Sequence, residues 1–188
     1  MKKMLLKKIY RKFWNVLNKH KVVCEFGPGC SFGVGCSVDS RSSVGCYTSI
    51  NSYSIVTKAQ IGNYCSIGNF VTIGPGEHDL TQISTSSLFY ENSYKNLTKK
   101  DCKIGNDVWI GNFAFIRRGV LIGHGAVIGA HSVVLQDVPQ FSVVVGVPSK
   151  IIRKRFDKKM QEKIIESGWW NTNIVEAEKK IKLLQGLI

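Results

Sequence analysis

An apolar residue returns at every sixth position through most of this chain, and that period restricts the fold more than any other feature. The series runs Phe26, Phe32, Val38, Val44 and Ile50, takes one five-residue step, and continues at Ile55, Ile61, Ile67 and Ile73. After an interruption it resumes at Ile104, Ile110, Ile116, Ile122, Ile128 and Val134. The next residue is commonly glycine, as at Gly27, Gly33, Gly62, Gly68, Gly105, Gly111 and Gly123, and the fifth position is small, as at Ser42, Thr48, Ala114, Ala126 and Ser132. Neither a helix of period 3.6 nor a strand of period 2 produces this spacing. A short flat segment with a bend every six residues does. Three bends close a triangular coil, with the first position inside and a small residue at the corner. Stacked coils bury a continuous apolar column and pair each strand with the coils above and below.

The cysteines follow the same rule. Cys24, Cys30, Cys36, Cys65 and Cys102 all fall on the small fifth position, and no CxxC pair or zinc-finger spacing appears among the six cysteines. They read as reduced core residues in a cytoplasmic protein, and no metal is expected. With 188 residues and 44% hydrophobic content, the chain can bury one such core and carry appended helices.

The register stops at Glu77 and resumes after Asp101, and the intervening segment is rich in Ser, Thr, Asn, Tyr and Lys. It reads as an inserted loop over 77–101, and loops this long inside a compact domain are often functional. His78 stands where the last coil before the loop ends. Its imidazole is either a solvated loop side chain or a general base whose backbone the coil holds rigid. Glu77 and Asp79 flank it, and Asp79 is the preferred partner for orienting the ring. His124 and His131 occupy the third and fourth repeat positions, where side chains should face outward, and His20 lies in a basic N-terminal segment. These three are the weaker candidates.

Three stretches carry a finer likeness: GPGEHDLTQISTSSLFY, NDVWIGNFAFIRRGVLIGHGAVIGAHSVVLQDVP and GVPSKIIRKR. Through them, over about residues 23–155, the chain resembles the hexapeptide-repeat transferases. The finer match is to the CatB-related O-acetyltransferases of the xenobiotic and polysaccharide group. The resemblance implies a left-handed parallel β-helix, an exception to the right-handed crossover rule, with acetyl-CoA as donor and a homotrimer as working unit. It implies that His78 is the general base and that the loop reaches a neighbouring subunit to help form the acceptor pocket. Asn112 and Ala130 fall where the family contacts pantetheine, and Gln136 near the adenine end. Lys150 and Arg153 fall where it meets phosphate or adenine, and Trp109 lines the same groove. The family often has lysine at the position of Gln136, which removes one phosphate contact here. Lys154 and Arg155 read as solvated.

With no nucleophile motif in view, direct attack on the thioester is expected, without an acyl-enzyme. The acceptor is read as a sugar hydroxyl of a bacterial surface polysaccharide or its precursor. Rivals are a chloramphenicol or streptogramin acetyltransferase, a nucleotide-amino-sugar N-acetyltransferase and, more remotely, a non-catalytic β-helix binding protein. The expected organisation is a basic amphipathic helix within 1–22, a β-helix over 23–152 and a helical segment over 153–188, broken near Gly168. Leu5, Leu6, Ile9, Phe13, Val16 and Leu17 share one face of the first helix, opposite Lys7, Lys8, Arg11 and Lys12, so it either caps the β-helix or attaches peripherally to a membrane. No stretch is long and apolar enough for a transmembrane helix. The net charge of +13 favours anionic partners. No nucleic-acid motif accompanies it, and Trp169 and Trp170 are expected to pack on the β-helix.

Overall fold

The computed structural model describes residues 21–187. The proposed N-terminal helix and His20 lie outside them. Short strands succeed one another around three faces. The first face stacks Lys21–Val22, Ser37–Val38, Ile55–Val56, Thr72–Ile73, Phe115–Ile116 and Val133–Val134. The second stacks Glu25–Phe26, Ser43–Val44, Ala59–Ile61, Cys102–Ile104 and Leu121–Ile122. The third stacks Ser31–Phe32, Ser49–Ile50, Ser66–Ile67, Trp109–Ile110, Val127–Ile128 and Ser142–Gly146, and Ser149–Lys154 closes it as an antiparallel hairpin. Every pairing between coils is parallel, for example Thr72 with Phe115 and Trp109 with Val127. The molecule is the parallel β-solenoid that a period of six demands.

Val38, Val44, Ile50, Ile61, Ile67, Ile73, Ile104, Ile110, Ile116, Ile122, Ile128 and Val134 fill the interior. Each such side chain contributes on the order of 1.5–3 kcal/mol by leaving water. Two expectations need correction. Ile55 points outward and is 48% exposed, while Val56, at 1%, takes the inward place between Val38 and Ile73. The short step therefore lies between Val56 and Ile61, where Lys58 turns left-handed (φ 46°) and its amide donates to Asp39 of a neighbouring coil at 3.0 Å. Phe26 is the second correction. Its strand is the edge of the second sheet, so one side of the ring stays in water and it packs edge-on to Phe32 at 5.1 Å.

The other repeat positions have physical reasons as well. A Cβ on Gly111 would stand 2.5 Å from the Ala130 amide nitrogen, so the coils approach too closely for any side chain there. At the small fifth position, Cys30, Thr48 and Cys65 donate from sulfur or oxygen to the carbonyls of Gly45, Gly62 and Gly105 on the next coil. Burial pushes the thiols of Cys36 and Cys65 up to about 12, which keeps them protonated. At the third position Asn106 and Asn112 each accept the amide of an asparagine on the next coil, Asn63 and Asn69, at 2.8 Å. The fourth position turns left-handed even without glycine, with φ of 55–62° at Tyr53, Phe70, Phe113, His131 and Phe141. Stacking offsets part of that strain, since Tyr53, Phe70, Phe113 and His131 form one column with centroids 4.8–5.1 Å apart.

The inserted segment carries helix α1 (Ser93–Leu97), and the C-terminal region carries α2 (Lys158–Ser167) and α3 (Ile174–Gln185). Asp157 caps α2 by accepting the Met160 amide, and Gly168, left-handed at φ 53°, ends it. Trp169 and Trp170 are buried against the solenoid. Trp169 meets Tyr64 and Trp170 lies flat on His124, each at 5.1 Å.

Candidate active site

His78 lies on the loop that leaves the first face after Gly74 and rejoins the second at Cys102. The loop is held at several points. The Tyr94 hydroxyl on α1 donates to the Asp39 carboxylate at 2.5 Å, the Arg41 guanidinium lies 4.6 Å over the Tyr94 ring, and Lys58 Nζ reaches the Thr98 carbonyl at 2.7 Å and Asp101 at 3.0 Å. Between these anchors His78 is exposed, with Nδ1 2.5 Å from the Thr85 carbonyl oxygen. A carbonyl can only accept, so Nδ1 carries the proton. In the neutral ring the lone pair is then on Nε2, which has no hydrogen-bond partner among the described residues and suits a proton acceptor.

Asp79 turns to other partners. Its carboxylate accepts from the Thr81 hydroxyl at 2.7 Å and the Thr81 amide at 3.0 Å, and pairs with Lys99 at 3.0 Å. Those contacts hold it down at about 2. Glu77 stands 3.8 Å from Arg117. Tyr90, whose ring centroid is 6.3 Å from that of His78, donates nothing to the ring; its oxygen accepts the Asp79 amide. Tyr90 also lines a hollow of about 280 Å³ with Gln82, Ile83, Ser84 and Phe89.

A second concavity, of about 400 Å³, opens on the third face. Trp109, Val127 and Val143 stack along it on successive coils, and Arg153, paired with Val143 across the hairpin, closes its upper end. Asp107 and Arg155 form its side as an ion pair at 3.1 Å. Burial pushes Asp107 up and Arg155 opposes that shift. Lys150 is exposed on the same hairpin.

The remaining candidates separate by corner. Asn112 and Ala130 occupy adjacent coils where the third face turns into the first, and the Asn112 side-chain oxygen is already committed to Asn69. Gln136 follows Val133–Val134, at the far end of the first face. The first-face strands all run the same way, so Asn112 and Ala130 stand at their start, and His78 and Gln136 beyond their end. One copy of the chain keeps these two groups on opposite edges of a face.

Residues 101–136 match the family model for the bacterial transferase hexapeptide of six repeats. Over that segment the chain carries the bacterial transferase hexapeptide repeat. A chloramphenicol acetyltransferase of Escherichia coli is 36% identical over 115 residues, 57% of this chain and 55% of that protein. The chain spans about half the length of that curated relative, and less of the next ones. Among solved structures, a hexapeptide-repeat acetyltransferase from Vibrio cholerae complexed with acetyl coenzyme A aligns with a TM-score of 0.53 at 26% identity, covering 80% of this chain and 79% of that one. A maltose O-acetyltransferase from Clostridium difficile aligns with a TM-score of 0.57 at 27% identity, covering 70% and 71%.

Within this hexapeptide-repeat chain, several side chains do what the repeat alone did not reveal. His124 faces outward but is half-buried under Trp170, its Nδ1 accepts the Asn106 amide 2.8 Å away, and burial lowers its pKa, so it stays neutral as a rung of the corner ladder. Lys154 binds Gln140 and Ser142, and Arg155 binds Asp107 and Gly125, so neither is merely solvated. Arg155 and Tyr64 also line the third-face concavity. Nothing in a run of basic residues marks which of them turns back onto the coil.

The loop's docking has a pH limit of known sign. Burial raises Asp39, but hydrogen bonds from Ser42, Tyr94, Lys58 and Arg41 outweigh it, and the net shift is downward. A depressed carboxyl stabilises above its unfolded value, about 3.9, and that contribution is lost as pH falls through the folded value. Pepsin digestion should therefore leave 79–98 intact near pH 4.5, above the unfolded carboxyl value of about 3.9, and begin to cut it as pH falls below that value, ahead of the solenoid. Cleavage of this segment already at pH 4.5 would contradict the docking.

Proposed function

We propose that this chain is an acetyl-CoA-dependent O-acetyltransferase in which His78 acts as general base. The observation that carries the reading is the Nδ1 to Thr85 hydrogen bond, which fixes the ring and leaves Nε2 free to accept a proton. Nε2 removes the proton of an acceptor hydroxyl as its oxygen attacks the thioester carbonyl carbon. The carbon–sulfur bond breaks, and the proton passes from the imidazolium to the leaving thiolate. The relatives and neighbours that are acetyltransferases support this chemistry.

The donor is read along the third face and its corner with the first. Trp109, Lys150 and Arg153 offer an aromatic wall and two exposed cations, which fits a ligand with an apolar arm and phosphates; Asn112 and Ala130 extend this set at the corner, and Gln136, on the edge of the first face that His78 shares, would join it from a neighbouring copy. Because the first face separates Asn112 and Ala130 from His78 within one copy, the reading requires a neighbouring copy to bring base and donor together. A homotrimer satisfies that requirement three times over. The reaction is placed in the cytoplasm, where the donor and the reduced thiols belong; no helix among the described residues is long and apolar enough to cross a membrane.

The acceptor is a sugar hydroxyl of a bacterial surface polysaccharide or its precursor. The likeness to a maltose O-acetyltransferase supports this. A chloramphenicol-like acceptor is the second reading, favoured by the apolar Ile83 and Phe89 beside Tyr90 and by the E. coli relative. Thiol release from acetyl-CoA, followed with maltose, a galactoside, capsular oligosaccharides, a nucleotide amino sugar and chloramphenicol, decides between them. Turnover with the saccharides alone is the expected result. Turnover with chloramphenicol alone moves the acceptor to the second reading, and the amino sugar alone makes the chemistry N-acetylation. Absence of acetyl-CoA binding by calorimetry overturns the enzyme reading itself.

A further inference from the structure

Arg118 is a charged side chain in the wrong kind of place. It lies on the corner just past Phe115–Ile116, is only 4% exposed, and has no carboxylate among its partners in the described residues. Burying an uncompensated guanidinium is strongly unfavourable, and an aliphatic residue would suit a solenoid corner better. What the charge does there is specific. Its Nε donates to the Pro75 carbonyl at 3.2 Å, and its Nη1 donates to the carbonyls of Lys100 at 3.1 Å and Lys58 at 3.3 Å. Pro75 is where the His78 loop leaves the solenoid and Lys100 is where it returns. One rigid, planar group thus ties the two stems to each other and to a neighbouring coil. Nη2 is buried too, without a hydrogen-bond partner in the described residues, so local satisfaction does not explain the residue.

We propose that Arg118 is a positioning residue that clamps the stems of the inserted loop and thereby sets where His78 stands relative to the reacting groups. The proposal rests on the reading of His78 as base for its catalytic half; the clamp itself rests on geometry alone. The planar fork matters because three carbonyls in different directions need donors held in one frame. A lysine keeps the charge but offers a single ammonium on a flexible stem, so it holds one stem at a time.

The test compares wild type with Arg118→Lys and Arg118→Met by amide hydrogen exchange without substrate, and by thiol release from acetyl-CoA with chloramphenicol and with maltose. In Arg118→Lys, exchange across 77–99 should quicken at least tenfold while Ile110, Ile116 and Ile128 keep their protection. Its kcat should fall about tenfold or more with KM for acetyl-CoA within twofold. Arg118→Met should show the same pattern more strongly; should it fail to fold, Arg118→Lys decides. Unchanged exchange in the loop, or exchange raised equally throughout the solenoid, overturns the clamp. Quickened loop exchange with unchanged kcat removes the positioning role. If wild type transfers acetyl to neither acceptor, that result bears on the proposed function, and the exchange measurement still decides the clamp.

Discussion

Replacing His78 by alanine should lower kcat for acetyl transfer about 10²–10⁴-fold, the range a positioned general base supplies, while KM for acetyl-CoA stays within a few-fold. The side chain is exposed and fills no core, so little stability should be lost and the defect belongs to the chemical step. His78→Gln separates the two functions of the ring. Its amide can still donate to Thr85 but cannot take a proton, so it should be as slow as the alanine variant. Asp79 is not a rival for that role, because hydrogen bonds from Thr81 and the pairing with Lys99 hold its carboxyl down at about 2, so it is a weak proton acceptor near neutral pH. Retention of more than a tenth of wild-type kcat in His78→Ala would remove His78 as the base.

The solenoid was legible because its rule is local. A buried first position, a glycine where coils nearly touch and a small donor at the corner are each forced by contacts one coil away, and every coil repeats them. Where the rule had two solutions, the reading slipped. Ile55 and Val56 are adjacent and both β-branched, and only the coil-to-coil pairing shows which one faces inward. The site was legible in part. The break in the period pointed to the loop and to His78, but the partner of its ring is a backbone carbonyl, Thr85, which no residue type announces. Asp79 was the natural choice from adjacency, yet successive residues on an irregular backbone point in different directions, and its carboxylate meets Thr81 and Lys99 instead. Arg118 was invisible for the opposite reason. It sits beside Arg117 in RRG, an ordinary exposed pair by composition, and only one of the two is buried.

Phe141→Ala should be the most damaging single change to the fold, costing about 3–5 kcal/mol as a large buried ring is deleted. The ring is fully buried, and it lies directly above Gly125, where a Cβ would be 2.4 Å from its edge. It meets Phe156 edge-on at 5.8 Å and shares one apolar cluster with Ile164, Trp169, Trp170 and Ala177. Its amide donates to the His124 carbonyl at 2.8 Å and its carbonyl accepts the Arg155 amide, so its backbone is fixed and cannot relax into the space. Alanine leaves the left-handed backbone cost in place while removing the packing that offsets it. Solenoids tend to yield from their ends, because each coil is stabilised mainly by its neighbours. Loss should therefore begin with α2, α3 and the closing hairpin, seen as fast amide exchange over 158–185 before the coils from Ile50 to Ile116 change. Urea unfolding of the same variant gives the magnitude, and a loss under about 1 kcal/mol, well short of the cavity cost, would mean that the C-terminal helices are held by something other than this ring.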